Sequence, residues 1–197
     1  MDKRENKGER EENDMNSSSS SIKTKDMAYI ALCAVLLAVC SWISIPFTVP
    51  FTLQTFAVFC TLLILGGKRG TIAVAVYILM AAVGLPVLSG FRGGAGALLG
   101  TTGGYILGFI LTGLIYWLSE KVLADSPVIR IAALVCGLAV CYAFGTAWFM
   151  YVYARNTGPV ALGTALSWCV IPFIIPDLAK LLLAVVISGR VKKLIRF

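Results

Sequence analysis

The sequence predicts an all-α integral membrane protein of six transmembrane helices with re-entrant or lid-like outer loops. Three observations predict it. Apolar residues make up 58% of the 197-residue chain and charged residues only 14%, where soluble domains carry about 25%. The charges are segregated: residues 2–26 hold thirteen of the twenty-seven, and the other 171 residues hold eleven Lys/Arg and three acids, Glu120, Asp125 and Asp177. Six apolar runs follow one another with basic residues at alternate ends. A chain this apolar cannot hide its surface in one water-soluble core, so lipid is its natural solvent.

Taken in order, residues 1–26 read as a disordered polar tail, with a mixed-charge run followed by Ser17–Ser21. No apolar stretch precedes Met27, so the segment does not read as a cleavable signal peptide. Residues 27–197 form the membrane domain, with spans expected at about 27–45, 52–66, 70–85, 102–123, 128–154 and 163–189. The second and third are short against the ~20 residues of a straight span. The charged, glycine-rich turn Gly66-Gly67-Lys68-Arg69-Gly70 separates them, because such a segment does not rest in hydrocarbon.

Loop charge orients the spans. An even number puts both termini on one side, which collects Lys23, Lys25, Lys68, Arg69, Lys121, Arg130, Arg190, Lys192, Lys193 and Arg196. The other side has Arg92 and Arg155. Ten against two is a strong positive-inside bias, and it predicts cytoplasmic termini.

Two outer connections stand out. Residues 45–54, IPFTVPFTLQ, contain two prolines. Residues 84–104 contain eight glycines together with Leu88, Phe91, Leu98 and Leu99. A segment both flexible and apolar suits a loop folded over a cavity, since non-helical backbone at membrane depth must be buried or line a pocket.

The candidate binding residues begin with Asp177 and Lys180 in PFIIPDLAK, mid-way along the sixth span. An ionisable group there costs at least ~2.5 kcal/mol on insertion scales. Spacing i, i+3 places both on one helix face, either as a mutual ion pair that holds the bundle or as two groups offered to a polar ligand. Pro172 and Pro176 remove backbone donors just before them. Arg92 can clamp a carboxylate through two parallel hydrogen bonds. Gln54 offers a donor and an acceptor. Gly103, Gly104 and Tyr105 open the fourth span, where helix N-terminal amides favour anionic or carbonyl groups. Trp148, with Tyr151 and Tyr153, falls near the outer end of the fifth span, where it fits an aromatic belt or a cavity wall. Small residues recur at four-residue spacing, at Ala34 and Ala38 and at Gly100, Gly104 and Gly108, which allows close helix packing within the bundle or against another membrane subunit.

Other readings are excluded. The net charge of +7 sits at the flanks of apolar runs, not in a nucleic-acid-binding patch. There is no histidine, hence no His-ligated metal and no Ser-His-Asp triad. No GxxxxGK[ST] motif occurs, so ATP hydrolysis, where transport needs it, belongs to another protein. Cys33, Cys40, Cys60, Cys136, Cys141 and Cys169 all lie in apolar segments and read as free buried thiols. Catalysis and a resident cofactor are not expected.

Five ordered motifs, IPFTVPFTLQT at 45–55, GLPVLSGFRGG at 84–94, GTTGGYILGF at 100–109, GTAWF at 145–149 and PFIIPDLAK at 172–180, resemble the BioY family over about residues 27–190. These are the biotin-specific S components of energy-coupling-factor (ECF) transporters. The resemblance implies an outward-facing biotin pocket under loop lids, with Asp177 and Lys180 as ligand contacts. It also implies partners, a transmembrane coupling subunit meeting the Ala34/Ala38 face and two ATPase subunits. The chain departs from the family pattern at Thr101, where proline is usual, and at Leu88, where phenylalanine is common.

Overall fold

The computed structural model describes residues 24–46, 49–123 and 126–194; the predicted tail lies outside them up to residue 23. Helix α1, Thr24–Trp42, begins inside the segment read as tail. Asp26 in its first turn is buried and pairs with Arg69 at 3.1 Å, at the positive end of the helix where an acid is favoured. Two-residue strands β1 (Ser44–Ile45) and β2 (Phe51–Thr52) pair antiparallel, Ser44 with Thr52 and Ile45 with Phe51. They turn the proline-bearing connection into a small hairpin that the all-helical expectation did not contain.

Helix α2, Gln54–Ala82, is continuous except at Gly66, whose φ of 78° and ψ of 171° no helix accommodates. The break folds it into antiparallel limbs. The Gln54 amide lies 2.8 Å from the Tyr77 hydroxyl, although 23 helical residues would separate them by roughly 35 Å in a straight rod. The expected five-residue turn is thus a single-residue break, with residues 67–70 helical. Glycine is needed at 66 because a side chain at positive φ is strained.

A short α3 (Ala95–Leu98) precedes α4 (Gly103–Val122), α5 (Pro127–Asn156), α6 (Leu162–Cys169) and α7 (Ile171–Leu194). Pro127 takes the first turn of α5, where its missing N–H is no loss. Val170, outside helical geometry, separates α6 from α7, so the predicted sixth span is an eight-residue helix joined to a long one. Five stretches are long and apolar enough to cross a membrane: Thr24–Trp42, Gln54–Ala82, Gly103–Val122, Pro127–Asn156 and Leu162–Lys193. With the second folded on itself, they make the six spans read from the sequence.

The most extensive packing joins α4 and α5, and its cause is glycine. A Cβ on Gly104 would lie 2.3 Å from Trp148, on Gly108 2.7 Å from Cys141, on Gly137 2.8 Å from Thr112, and on Gly145 2.2 Å from the Tyr105 ring. Each helix offers bare backbone where the other sends a side chain. Leu32, Val35, Val39, Ile175, Leu182 and Val186 point outward, as lipid-facing residues do. The cysteines are free; five are buried, while Cys136 is exposed on α5, contrary to the reading that placed it inside. Apolar surroundings satisfy a thiol equally well whether they are protein or lipid.

Ala34 and Ala38 correct the sequence reading more substantially. They are 1% and 4% exposed, within the core of the chain itself. Their small side chains let α1 close on the bundle, and they present no face to a partner.

Candidate functional site

Between the loops and α2, α4, α5 and α7 lies a cavity of ≈ 80 Å³ whose lining includes Gln54, Thr55, Arg92, Tyr105, Tyr142, Asp177 and Lys180. Its centre is the Asp177–Lys180 pair. The two side chains are 2.8 Å apart, and the residues are 2% and 7% exposed. Asp177 Oδ1 accepts from Lys180 Nζ and, at 2.9 Å, from the Thr55 hydroxyl; Oδ2 accepts from the Tyr142 hydroxyl at 2.6 Å. Lys180 Nζ also donates to the Thr52 carbonyl at 2.6 Å and to Thr55 Oγ1 at 3.2 Å, and it stands 4.0 Å from the centre of the Phe51 ring. The mutual ion pair and the cavity-facing arrangement, alternatives in the sequence, are therefore both present. α7 carries the pair inward because Pro176 lies inside the helix one residue earlier and cannot donate to the Pro172 carbonyl, which loosens the turn there.

The donor count separates the two charges. Lys180 has three N–H groups, and all three have acceptors. Asp177 has roughly four lone-pair sites, of which three are occupied. The acid therefore retains capacity for a further donor, whereas the lysine accepts a new partner only by giving one up.

Gln54 is buried and its Nε2 donates to Tyr77, whose hydroxyl in turn donates to the Val87 carbonyl at 3.1 Å. Tyr105 shares a 2.9 Å hydrogen bond with Thr146. Arg92 is exposed at the cavity mouth; its Nε donates to the Ser89 carbonyl at 3.1 Å, holding a turn closed by the Leu88–Arg92 bridge. The glycine-rich loop folds over the cavity as its composition suggested, burying Val87, Leu88 and Leu98 but leaving Phe91 and Leu99 exposed. Ser41 and Trp42, at the end of α1, bind the Val87 and Pro86 carbonyls at 2.5 and 2.9 Å. Phe91, at a positive φ of 55°, stacks on Trp42 with ring centres 5.1 Å apart.

Three candidates do not line the cavity. Gly103 N–H donates to the Gly100 carbonyl at 3.1 Å, and a Cβ there would collide with the Leu98 carbonyl. Gly104 leaves room for Trp148, whose indole donates to the Gly100 carbonyl at 3.0 Å. These residues brace the loop–helix junction, because the first amides of α4 bond back into the preceding turn. Conversely, Tyr142, Thr55 and Phe51 escaped the sequence reading. A tyrosine inside an apolar span carries a polar group that needs a partner, the one signal that pointed to Tyr142; Thr55 and Phe51 carry no comparable mark.

Behind Phe173, whose ring stacks on Phe51 with centres 6.0 Å apart, lies an apolar cleft of ≈ 440 Å³ lined by Ile45, Phe51, Trp168, Pro172 and Pro176 among others. Phe173 faces both spaces.

A family model described as the BioY family matches residues 13–197. A biotin transporter BioY of Thermotoga maritima is 45% identical over 161 residues, covering 81% of this chain and 90% of the relative. A "Probable biotin transporter BioY" of Pyrococcus horikoshii is 36% identical, over 87% of this chain and 98% of the relative. Among solved structures, the S-component for biotin from an ECF-type ABC transporter superposes with a TM-score of 0.75 at 27% identity, covering 89% of this chain and 94% of that one.

Proposed function

This chain belongs to the BioY family, and from that premise we propose that it is a biotin-capturing S component of an ECF transporter, loading from outside for uptake driven by partner subunits. The observation that carries the reading is the buried Asp177–Lys180 pair opening onto a cavity that Gln54, Tyr105 and Tyr142 also line. Biotin presents two ureido N–H donors, one ureido carbonyl, an apolar ring edge and a terminal carboxylate. Asp177, with an acceptor site left, takes a ureido N–H. The Gln54 amide or the Tyr142 hydroxyl meets the remaining polar edge. Arg92 at the mouth takes the carboxylate, for two reasons. The donors of Lys180 are already committed, and a carboxylate left near water avoids the desolvation that a buried one suffers. Lys180 then acts mainly by orienting Asp177.

A ring of this size needs more room than ≈ 80 Å³, since small-molecule pockets begin at roughly 300 Å³. Displacement of the Phe51–Phe173 stack toward the neighbouring cleft supplies it. An enzymatic role for Asp177 is not favoured, because the relatives are named as transporters and no second acid lines the cavity. The chain has no phosphate-cradling motif, so the reading also requires a transmembrane coupling subunit and two ATPase subunits, which meet a surface other than Ala34 and Ala38.

Isothermal titration of the purified chain tests the substrate. Biotin should give a saturable response and ATP none. A flat biotin titration beside a clear response to thiamine or riboflavin would overturn the substrate and keep the class. Cytoplasmic termini are tested by labelling single cysteines from outside on a cysteine-free background: one at Arg155 should react and one at Lys68 should not.

A further inference from the structure

The glycine-rich loop is secured unevenly. Its base, residues 86–88, is held by polar contacts from two helices. The Val87 carbonyl accepts from the Ser41 hydroxyl of α1 at 2.5 Å and from the Tyr77 hydroxyl of α2 at 3.1 Å. Both donors are fully buried, and Trp42 Nε1 donates to the Pro86 carbonyl at 2.9 Å. The far side is fixed as well, where the Gly94 amide donates to the Ala81 carbonyl at 2.7 Å. Between these points the turn at residues 88–92 is closed on itself. The Leu88 amide donates to the Arg92 carbonyl at 2.9 Å, and Arg92 Nε donates to the Ser89 carbonyl. This turn contributes Leu88, Ser89 and Arg92 to the cavity lining, so it covers the cavity mouth.

The tip of the turn is strained. Among the described residues, Phe91 is the one non-glycine residue at positive φ, at 55°. A bulky side chain in that conformation is an outlier that persists only where its surroundings impose it. The contact that imposes it comes from α1. The Phe91 ring lies on that of Trp42, with centres 5.1 Å apart and planes inclined by 29°, and Trp42 is itself oriented by its bond to Pro86. The stack is open to water, with Phe91 65% and Trp42 38% exposed. A buried anchor at the base and an exposed stack at the tip make a flap with a separable fastening. We propose that Trp42 is a positioning residue for ligand exchange: by stacking on Phe91 it clasps the 88–92 turn over the cavity, and this clasp parts before biotin enters or leaves. The proposal rests on the reading of the loop-end cavity as the biotin site. It makes the last residue of α1 a determinant of exchange rate and not of affinity, because a fastening that opens for entry and for exit scales both rates alike.

Association and dissociation of tritiated biotin on the purified full chain test it. Trp42→Ala should raise both rates together, by about three- to tenfold as expected for the loss of one aromatic pair, and leave Kd within about twofold of the parent. Trp42→Phe keeps a ring against Phe91 and should stay near the parent. Phe91→Ala should match Trp42→Ala, and the double variant should be no faster than either, since both remove the same contact. Unchanged rates in a folded Trp42→Ala or Phe91→Ala would overturn the clasp, as would additive effects in the double variant. Faster dissociation with unchanged association would show a lost ligand contact and overturn it too. If Trp42→Ala fails to fold, Phe91→Ala, at an exposed position, decides alone. Hydrogen–deuterium exchange on the chain without biotin separates this proposal from the substrate reading. Amides of residues 84–94 should exchange faster in Trp42→Ala than in the parent, and at the parent's rate in Trp42→Phe. If the parent binds no biotin, the substrate reading fails and this exchange decides: a faster loop supports the clasp, and an unchanged one rejects it.

Discussion

At the loop end of the bundle, polar side chains hold α2, α5 and α7 around empty space. At the turn end, glycines bring α2, α4 and α5 into direct backbone contact. The loop end satisfies Asp177 and Lys180 with five hydrogen bonds from Thr52, Thr55, Tyr142 and each other, and leaves a cavity beside them. At the turn end, Glu120 accepts from the Gly67 amide at 2.5 Å, Asp26 and Arg69 pair at the rim, and the interior is closed by contacts such as a Gly113 Cβ position 2.7 Å from Thr71. Charged groups in a membrane protein are costly to bury, and the buried Asp177–Lys180 pair beside a cavity is the feature on which the proposed biotin site rests.

The comparison breaks most sharply at the ion pair. Asp177→Asn or Lys180→Met alone strands a buried charge and should cost ~3–5 kcal/mol of stability. The double variant removes that penalty and should melt near or above the parent. It should nevertheless bind biotin about one to two decades more weakly, since the ureido hydrogen bond to the charged Asp177 carboxylate is worth ~1.5–3 kcal/mol. Melting temperature and titration on all four proteins decide it. Near-parental affinity in a folded double variant would make the pair a strut of the same kind as the turn-end contacts.

Tyr142→Phe asks a narrower question. It removes one 2.6 Å bond to Asp177 and leaves the packing. Affinity should fall by about ten- to a hundredfold, ~1.5–3 kcal/mol, with the melting temperature little changed. A change in melting temperature alone would place Tyr142 with the scaffold.

Gly137→Leu addresses the opposite end. Its Cβ would stand 2.8 Å from Thr112, and the overpacking should cost ~1–3 kcal/mol of stability while the folded fraction keeps its biotin affinity. A loss of affinity at unchanged stability would show that the seam sets the shape of the cavity. The smallest effect is expected at the rim. Arg69 is 41% exposed in its pair with Asp26, so Arg69→Gln should change stability by no more than ~1 kcal/mol and leave binding unaltered. A larger loss on thermal melting would give the turn end a polar anchor comparable to that of the loop end.

Much of this was legible in the chain. Each span is a local property, a run of residues whose transfer to lipid is favourable, and so is the exclusion of Lys68 and Arg69 from hydrocarbon. Asp177 and Lys180 declared themselves because charge inside a span is conspicuous without any neighbour being known. The buried loop residues Leu88 and Leu98 followed from an apolar segment rich in glycine. The role of Trp148 did not, because an aromatic near a span end looks the same whether it meets lipid, a ligand or, as here, the carbonyl of Gly100.

The sequence by itself determined the solvent, the number of spans and the one position where charge had to be satisfied inside the membrane, because each depends on composition over a few consecutive residues. Tertiary structure alone decided that Thr55 and Tyr142, 122 and 35 residues away, would reach Asp177. It also decided that Ala34 and Ala38 would face inward. Those outcomes depend on how each helix is rotated against its neighbours, which is set by where bare glycine backbone and bulky side chains interlock across the seams. A face of small residues carries no record of which helix will fill it until the whole bundle has closed.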